Sequence, residues 1–104
     1  MMVTTTEHIP GREVKEALGV VFGSCVQTKH IGKDLRAAGR TLIGGESVSY
    51  TELVEEARRT AMQRMIEYAK KLNADAVIGM RYATAQTMGS AAEIIAFGTA
   101  VKTC

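Results

Sequence analysis

The chain has 104 residues, a length that fits a single modest core, and we predict one domain over residues 1–104. Its 13 basic and 11 acidic residues give a net charge of +2, which is too small to indicate binding to nucleic acid or to an anionic membrane. No window contains the roughly 18 apolar residues of a membrane span, and the N-terminal residues lack the features of a signal peptide. The two cysteines form no spaced motif, so we expect a cytoplasmic protein with reduced thiols.

The first long apolar stretch, ALGVVFGSCV, lies at residues 17–26 and is predicted to form a strand. A short edge strand is predicted before it at Val3–Thr6, followed by a turn at Pro10–Gly11. Within the long stretch, large and small side chains alternate, so that each kind lies on its own face of the predicted strand. The small face includes Gly19 and Gly23. Two interpretations are open: a helix or a neighbouring subunit packs closely on the small face, or the two glycines mark bulges or bends.

The segment from Thr28 to Gly45 has the highest local concentration of positive charge in the chain. Its basic residues are Lys29, His30, Lys33, Arg36 and Arg40, against the single acidic residue Asp34. Exposed backbone N–H groups beside such side chains can hold phosphate or carboxylate. The contacts predicted for an anionic ligand are Arg36, Arg40, Gly44 and Gly45. The sequence GRTLIGGES lacks the lysine and hydroxyl of a nucleotide-binding phosphate loop. The more common alternative is a solvated basic loop, because charge clusters are frequent on loops.

A long helix is predicted next, with Ser49 and Glu52 as a capping box at its start and Asn73 as a left-handed cap at its end. Projection at about 100° per residue places a row of apolar residues on one face. This row consists of Val54, Ala57, Ala61, Met62, Met65, Ala69 and Leu72. Arg58 projects into the middle of the row, so we expect a buried or half-buried guanidinium with a carboxylate partner. Arg58 is for this reason also a candidate ligand-binding residue.

Two further apolar strands are predicted at residues 75–83 and 92–102, with a turn at residues 88–90 between them. Their hairpin order indicates antiparallel pairing. All three long strands are apolar on both faces, whereas a single helix covers only one face of a sheet. The predicted fold is therefore α+β, a three- to four-stranded and mainly antiparallel sheet with one long helix on one face, in a chain that is a subunit of a homo-oligomer.

Cys25 is the candidate metal ligand, since it lies on the small-residue parity of its strand and an assembly would bring several copies together. Soft metals normally take four thiolate or imidazole ligands. The remaining cysteine and the histidines, Cys104, His8 and His30, form no close pair in the sequence. The usual burial of free cysteine favours the alternative that Cys25 is a small core residue.

Four charged residues lie on or beside apolar elements: Arg58, Arg81, Glu46 and Glu93. The favoured interpretation is that they pair within or between subunits and fix the packing register. Alternatively, they line a polar pocket at a subunit boundary. Neither histidine stands in a motif with a nucleophile and an orienting group, so we predict no enzymatic activity.

Four segments resemble the YbjQ-like family of small bacterial and archaeal proteins: IGGE at 43–46, YTELVEEAR at 50–58, ADAVIGMRY at 74–82 and AEIIAFGTAV at 92–101. The resemblance extends over nearly the whole chain. The resemblance implies an α+β subunit that assembles into a ring-like homo-oligomer, and it favours a pentamer over other subunit numbers. Members of this family carry the label "putative heavy-metal-binding domain", so the resemblance also suggests a metal ion as cofactor.

The sequence leads to two hypotheses. The first is a non-enzymatic homo-oligomeric protein that binds a metal ion or a small anionic ligand at sites repeated by symmetry. The second is a structural or protein-interaction module without a small-molecule ligand.

Overall fold

The computed structural model describes residues 1–28, 46–86 and 91–104. In this part of the chain one helix and four strands occur in the order β1 (Met2–Val3), β2 (Val14–Thr28), α1 (Glu46–Lys71), β3 (Ala76–Gln86) and β4 (Ala91–Thr103). The strands form one sheet in the order β1-β3-β4-β2. β1 and β3 are parallel, whereas β3 pairs antiparallel with β4, and β4 with β2. The predicted α+β fold with one long helix is confirmed, and the sheet is mixed.

The N-terminal segment begins at one edge of the sheet and crosses its face. β1 is shorter than the predicted strand, but main-chain hydrogen bonds continue beyond it, from Thr4 N to Val77 O (2.9 Å) and from Met80 N to Thr4 O (2.9 Å). The predicted turn is present: Arg12 N donates to Ile9 O (3.0 Å), and the glycine between them has a φ of 82°. Crossing to the far edge lets β2 pair antiparallel with β4, while β1 runs parallel to β3.

α1 packs on one face of the sheet, mainly over β2 and β4. Four residues of the predicted apolar row, Ala57, Ala61, Met65 and Ala69, are fully buried there. Gly23 lies directly under the helix backbone, so the close-packing interpretation holds for this glycine. The bulge interpretation holds for Gly19, which has a φ of 128° at an irregularity in the pairing of β2 with β4.

The sequence predicted the end of α1 correctly but not its start. The helix begins at Glu46, so Ser49 lies inside it and the predicted start was wrong. A capping motif favours a start but does not forbid further turns, and each added residue gains a main-chain hydrogen bond. The other end is confirmed: Asn73 has a φ of 61°, Asn73 N donates to Lys70 O (2.9 Å) and Ala74 N to Ala69 O (3.1 Å). These two bonds are those of a Schellman motif.

Arg58 is exposed in the structure, which corrects the expectation of a buried guanidinium. The buried residues from Ala57 to Ala69 follow an i, i+4 row, and such a row winds around the helix relative to its axis. At the level of Ala57 the sheet therefore lies to one side of the Arg58 side chain. The projection from the sequence assumes that the sheet lies in the same direction from the helix axis along the whole helix. For that reason it placed Arg58 in the middle of the row.

Candidate functional site

The face of the sheet opposite α1 carries large apolar side chains that remain exposed. We call it the apolar face and define it by Val20, Phe22, Val26, Ile95 and Phe97. The exposed fractions are 66% for Val20, 52% for Phe22, 56% for Val26 and 36% for Phe97, and Ile95 is half-buried. Phe22 pairs with Phe97 across β2 and β4, so the two side chains share one face.

This face follows from the alternation in β2. From Val20 to Val26 its large residues have one parity and lie on the face opposite α1, while the small parity packs under the helix, as at Gly23. Ser24 and Ile95 continue the face as a cross-strand pair, and Glu93, opposite Val26, places a carboxylate near one end. Contiguous exposed apolar surface of this kind marks interaction sites in soluble proteins.

The outer edge of β2 meets α1 through two side chains. The guanidinium of Arg64 donates to the main-chain oxygen of Ser24 (2.6 Å). The ring centroids of Tyr68 and Phe22 are 5.5 Å apart and the ring planes are inclined at 57°. Aromatic pairs favour such a tilted arrangement. In residues 1–28, 46–86 and 91–104, no strand pairs with this edge of β2.

Within the described side chains, Arg58, Arg81 and Glu93 form no ion pair with one another. The Arg81 guanidinium donates to two main-chain oxygens, those of Thr5 (2.8 Å) and Met80 (2.9 Å), and so fastens the N-terminal segment to β3. Arg58 is exposed on the helix. Glu93 is half-buried on β4, and the side chain of Glu46 lies outside the described residues.

Cys25 lies in the core beneath the helix. It is 8% exposed and belongs to the same apolar cluster as Val21, Ala57 and Met80. Within the described ranges, no group of three or more histidine, cysteine, aspartate or glutamate residues could hold a metal ion. Cys104 is exposed at the opposite end of the sheet, where its N–H donates to Glu13 O (3.0 Å). In the single chain, Cys25 is therefore packed among apolar core residues.

The predicted anion contacts, Arg36, Arg40, Gly44 and Gly45, lie outside the described residues. The structure therefore does not test the anion hypothesis, which stays a prediction from the sequence.

Sequence reasoning missed two features of the surface. The hydrogen bond from Arg64 to Ser24 requires the helix to lie along the β2 edge, which no local pattern indicates. The Phe22–Tyr68 contact has the same cause. A signal for the second existed, because Tyr68 and Leu72 extend an apolar row toward the exposed side at the end of the helix.

The fold and the apolar face define a small α+β protein in which α1 covers one sheet face and the other face is partly exposed. The model of the YbjQ family, described as "Putative heavy-metal-binding", matches residues 1–104, and the chain belongs to this family. A UPF0145 protein of Thermotoga petrophila is 59% identical over 102 residues, which cover 98% of this chain and 96% of the relative. A UPF0145 protein of Archaeoglobus fulgidus is 54% identical, covering 98% and 94%.

A solved structure has the same fold. It is a protein of unknown function of the DUF74 family from Pediococcus pentosaceus, with a TM-score of 0.50 and 19% sequence identity, covering 98% of this chain and 96% of that one. In the described part of the chain, helical sequence with the length and hydropathy of a membrane span is absent.

Proposed function

We propose that this protein is a non-enzymatic, cytoplasmic, homo-oligomeric binding protein whose copies associate through the apolar face. The observation that supports this most directly is the exposure of Val20, Phe22 and Val26 on one side of a single strand. Burial of apolar surface is favourable by roughly 25 cal/mol of free energy for each Å² removed from water, and a monomer with these side chains exposed lacks that stabilisation. Association removes that surface from water and leaves the fold of each chain unchanged.

A second copy of the chain is the occupant that fits this face. The cross-strand pairs Phe22–Phe97 and Ser24–Ile95 form an uncharged centre of this face. Arg81, opposite Phe97, and Glu93, opposite Val26, place charges at its margins. Depletion of charged residues at the centre is typical of homo-oligomer interfaces. A net charge of +2 also lets copies approach one another with little repulsion.

The arrangement of the sheet edges favours a ring. In the described part of the chain, β2 is open along one edge, while on the other side the N-terminal segment bonds to β3 from Ala76 to Met80 and leaves the remainder of that edge unpaired. Two unlike open edges on opposite sides of a sheet suit head-to-tail contacts, which close into rings when the rotation allows. We propose a closed ring, with five subunits as the family resemblance implies.

The proposed ligand is a small anion or a metal ion at a site repeated in every subunit. For an anion, the contacts are Arg36, Arg40, Gly44 and Gly45, with Arg58 as an exposed cation on the following helix. For a metal ion, the ligand is Cys25. The anion has the stronger support, because Cys25 faces the helix and is 8% exposed.

The association is tested by a charge on the apolar face. Val20→Lys places an ammonium on a side chain that is 66% exposed in the single chain, so it costs the monomer little but opposes burial between copies. Gln63→Lys adds the same charge at an exposed position of the helix and is the matched control. By light scattering, Val20→Lys should reduce the mass of the assembly and the control should not. Equal masses for the two variants and the wild type would exclude the apolar face as the interface.

The anion site is tested by thermal stability in inorganic phosphate. A ligand that binds the folded protein and not the unfolded chain raises the melting temperature, and the increase grows with the logarithm of ligand concentration above the dissociation constant. The increase should disappear in the double variant Arg36→Ala/Arg40→Ala and persist in Arg59→Ala, which removes an exposed arginine of the helix. An increase that persists in the double variant would exclude the basic segment.

The second hypothesis, an interaction module without a small ligand, is favoured by one feature of the helix. A groove of about 510 Å³ is lined by Arg64, Glu67, Tyr68, Lys71 and Leu72. If neither phosphate nor a divalent metal ion changes the melting temperature, this groove and the apolar face together become the better account of function.

A further inference from the structure

The N-terminal segment forms a second, unrelated site on the sheet. It is held in place by its own hydrogen bonds: Thr4 Oγ1 donates to Thr6 O (3.1 Å), Thr6 Oγ1 to His8 O (2.6 Å), and Gly79 N to Thr6 O (2.9 Å). Ile9 anchors the segment, since it is 4% exposed and packs on the side of the sheet opposite α1. The segment therefore has a fixed shape before any ligand arrives.

Between this segment and the sheet lies a cleft of about 410 Å³, which we call the N-terminal cleft. Its floor is aliphatic and consists of Ile9, Val14 and Ile78. Its rim carries the polar residues Glu7, His8, Arg12 and Glu13. A pocket of a few hundred Å³ with an apolar floor and a few convergent polar groups is the usual form of a small-molecule site.

Within the described residues, the fold uses the charged groups on the rim only in part. The Arg12 guanidinium donates from Nη2 to Thr103 Oγ1 (2.7 Å), which fixes its position and leaves most of its five N–H donors available. Over the described ranges, neither this guanidinium nor the carboxylates of Glu7 and Glu13 take part in an ion pair. The cleft thus presents one fixed cation and two carboxylates around an aliphatic floor.

We propose that the N-terminal cleft binds an aliphatic α-amino acid. The carboxylate of the ligand pairs with Arg12, which presents parallel N–H donors to such a group. The ammonium pairs with Glu7 or Glu13, and the side chain covers Ile9, Val14 and Ile78. A ligand with an anion, a cation and an apolar group matches all three parts of the cleft.

Isothermal titration of the full-length protein with L-leucine tests the proposal. Two analogues remove one charge each: N-acetyl-leucine lacks the ammonium and leucinamide lacks the carboxylate. Each should bind at least about tenfold more weakly than leucine, because a charge-assisted hydrogen bond is lost. Glycine, which leaves the floor uncovered, should also bind more weakly. Absence of saturable binding by leucine, or equal binding of all four compounds, would overturn the proposal.

Variants locate the site. Arg12→Ala and the double variant Glu7→Gln/Glu13→Gln should each lose leucine binding, while Arg59→Ala on the helix should retain it. The double variant keeps the contact between Arg12 and Thr103, so it tests the cleft even if Arg12→Ala unfolds. Retained binding in the folded double variant would contradict the assignment. The proposal does not depend on association, because leucine should also bind Val20→Lys when that variant is monomeric.

Discussion

Gly23 of β2 lies directly against the main chain of α1 at Met65. A methyl group added to this glycine would occupy the space of the Met65 nitrogen and the Ala61 oxygen. The alanine row of the helix, with Ala57 and Ala69 at its ends, makes the same close approach possible from the other side. Because the helix and the strand meet through backbone atoms, neither can move away without opening the core.

The first prediction follows from this contact. Gly23→Ala should reduce the free energy of unfolding by at least about 2 kcal/mol, because the added methyl must displace the helix backbone. Ser24→Ala, one residue further on the opposite parity, should change it by less than about 1 kcal/mol. Urea denaturation of the two variants measures the difference. Equal stabilities would mean that the helix does not lie on Gly23.

The second prediction concerns the end of the helix. Asn73 has a left-handed backbone, with a φ of 61°. Asn73→Ala should destabilise the protein by about 1 kcal/mol, since a residue with a Cβ and no compensating polar group disfavours this conformation. Asn73→Gly should be neutral or slightly stabilising, because glycine adopts it freely. Thermal denaturation distinguishes the two, and an equal loss in both variants would contradict the left-handed cap.

The third prediction revises the expectation for Arg58. Since the side chain is exposed, Arg58→Ala should change the free energy of unfolding by no more than about 0.5 kcal/mol. The sequence projection, by contrast, leads to a loss of several kcal/mol from a stranded buried partner. Chemical denaturation decides between them. A large loss would mean that Arg58 has a partner in a neighbouring copy or outside the described residues.

The fourth prediction concerns Cys25. Its burial in the cluster with Val21 and Met80 leads us to expect that Cys25→Ala costs about 1 kcal/mol of stability and leaves the uptake of cadmium by the reduced protein unchanged. Cadmium titration followed by thiolate absorbance measures uptake, with Cys104→Ser as the comparison. A loss of binding confined to Cys25→Ala would instead establish Cys25 as a metal ligand.

The parts of the fold that the sequence predicted are those set by local patterns. The three long strands, the turn before Arg12 and the left-handed Asn73 each depend on neighbouring residues whose periodicity or conformational preference is strong. The two faces of β2 were predicted for the same reason, because alternation assigns Val20 and Gly23 to opposite sides.

What the sequence did not reveal depends on the relative placement of elements. The exposure of Arg58 follows from the direction in which the helix crosses the sheet, which no window of residues contains. The N-terminal cleft combines Ile9 and Arg12 with Ile78 of β3 and Thr103 at the end of β4, residues far apart in the chain. The start of the helix was misplaced because the capping motif at Ser49 is only one of several positions at which a helix could begin.

The central claim, that copies of this chain associate and thereby bury the apolar face, is tested most directly by sedimentation velocity of the wild-type protein over a dilution series. The account predicts one species whose mass is a multiple of the 11.2 kDa chain and which persists on dilution. A single stable species of 11.2 kDa, folded and soluble with Val20 and Phe22 in water, would contradict it.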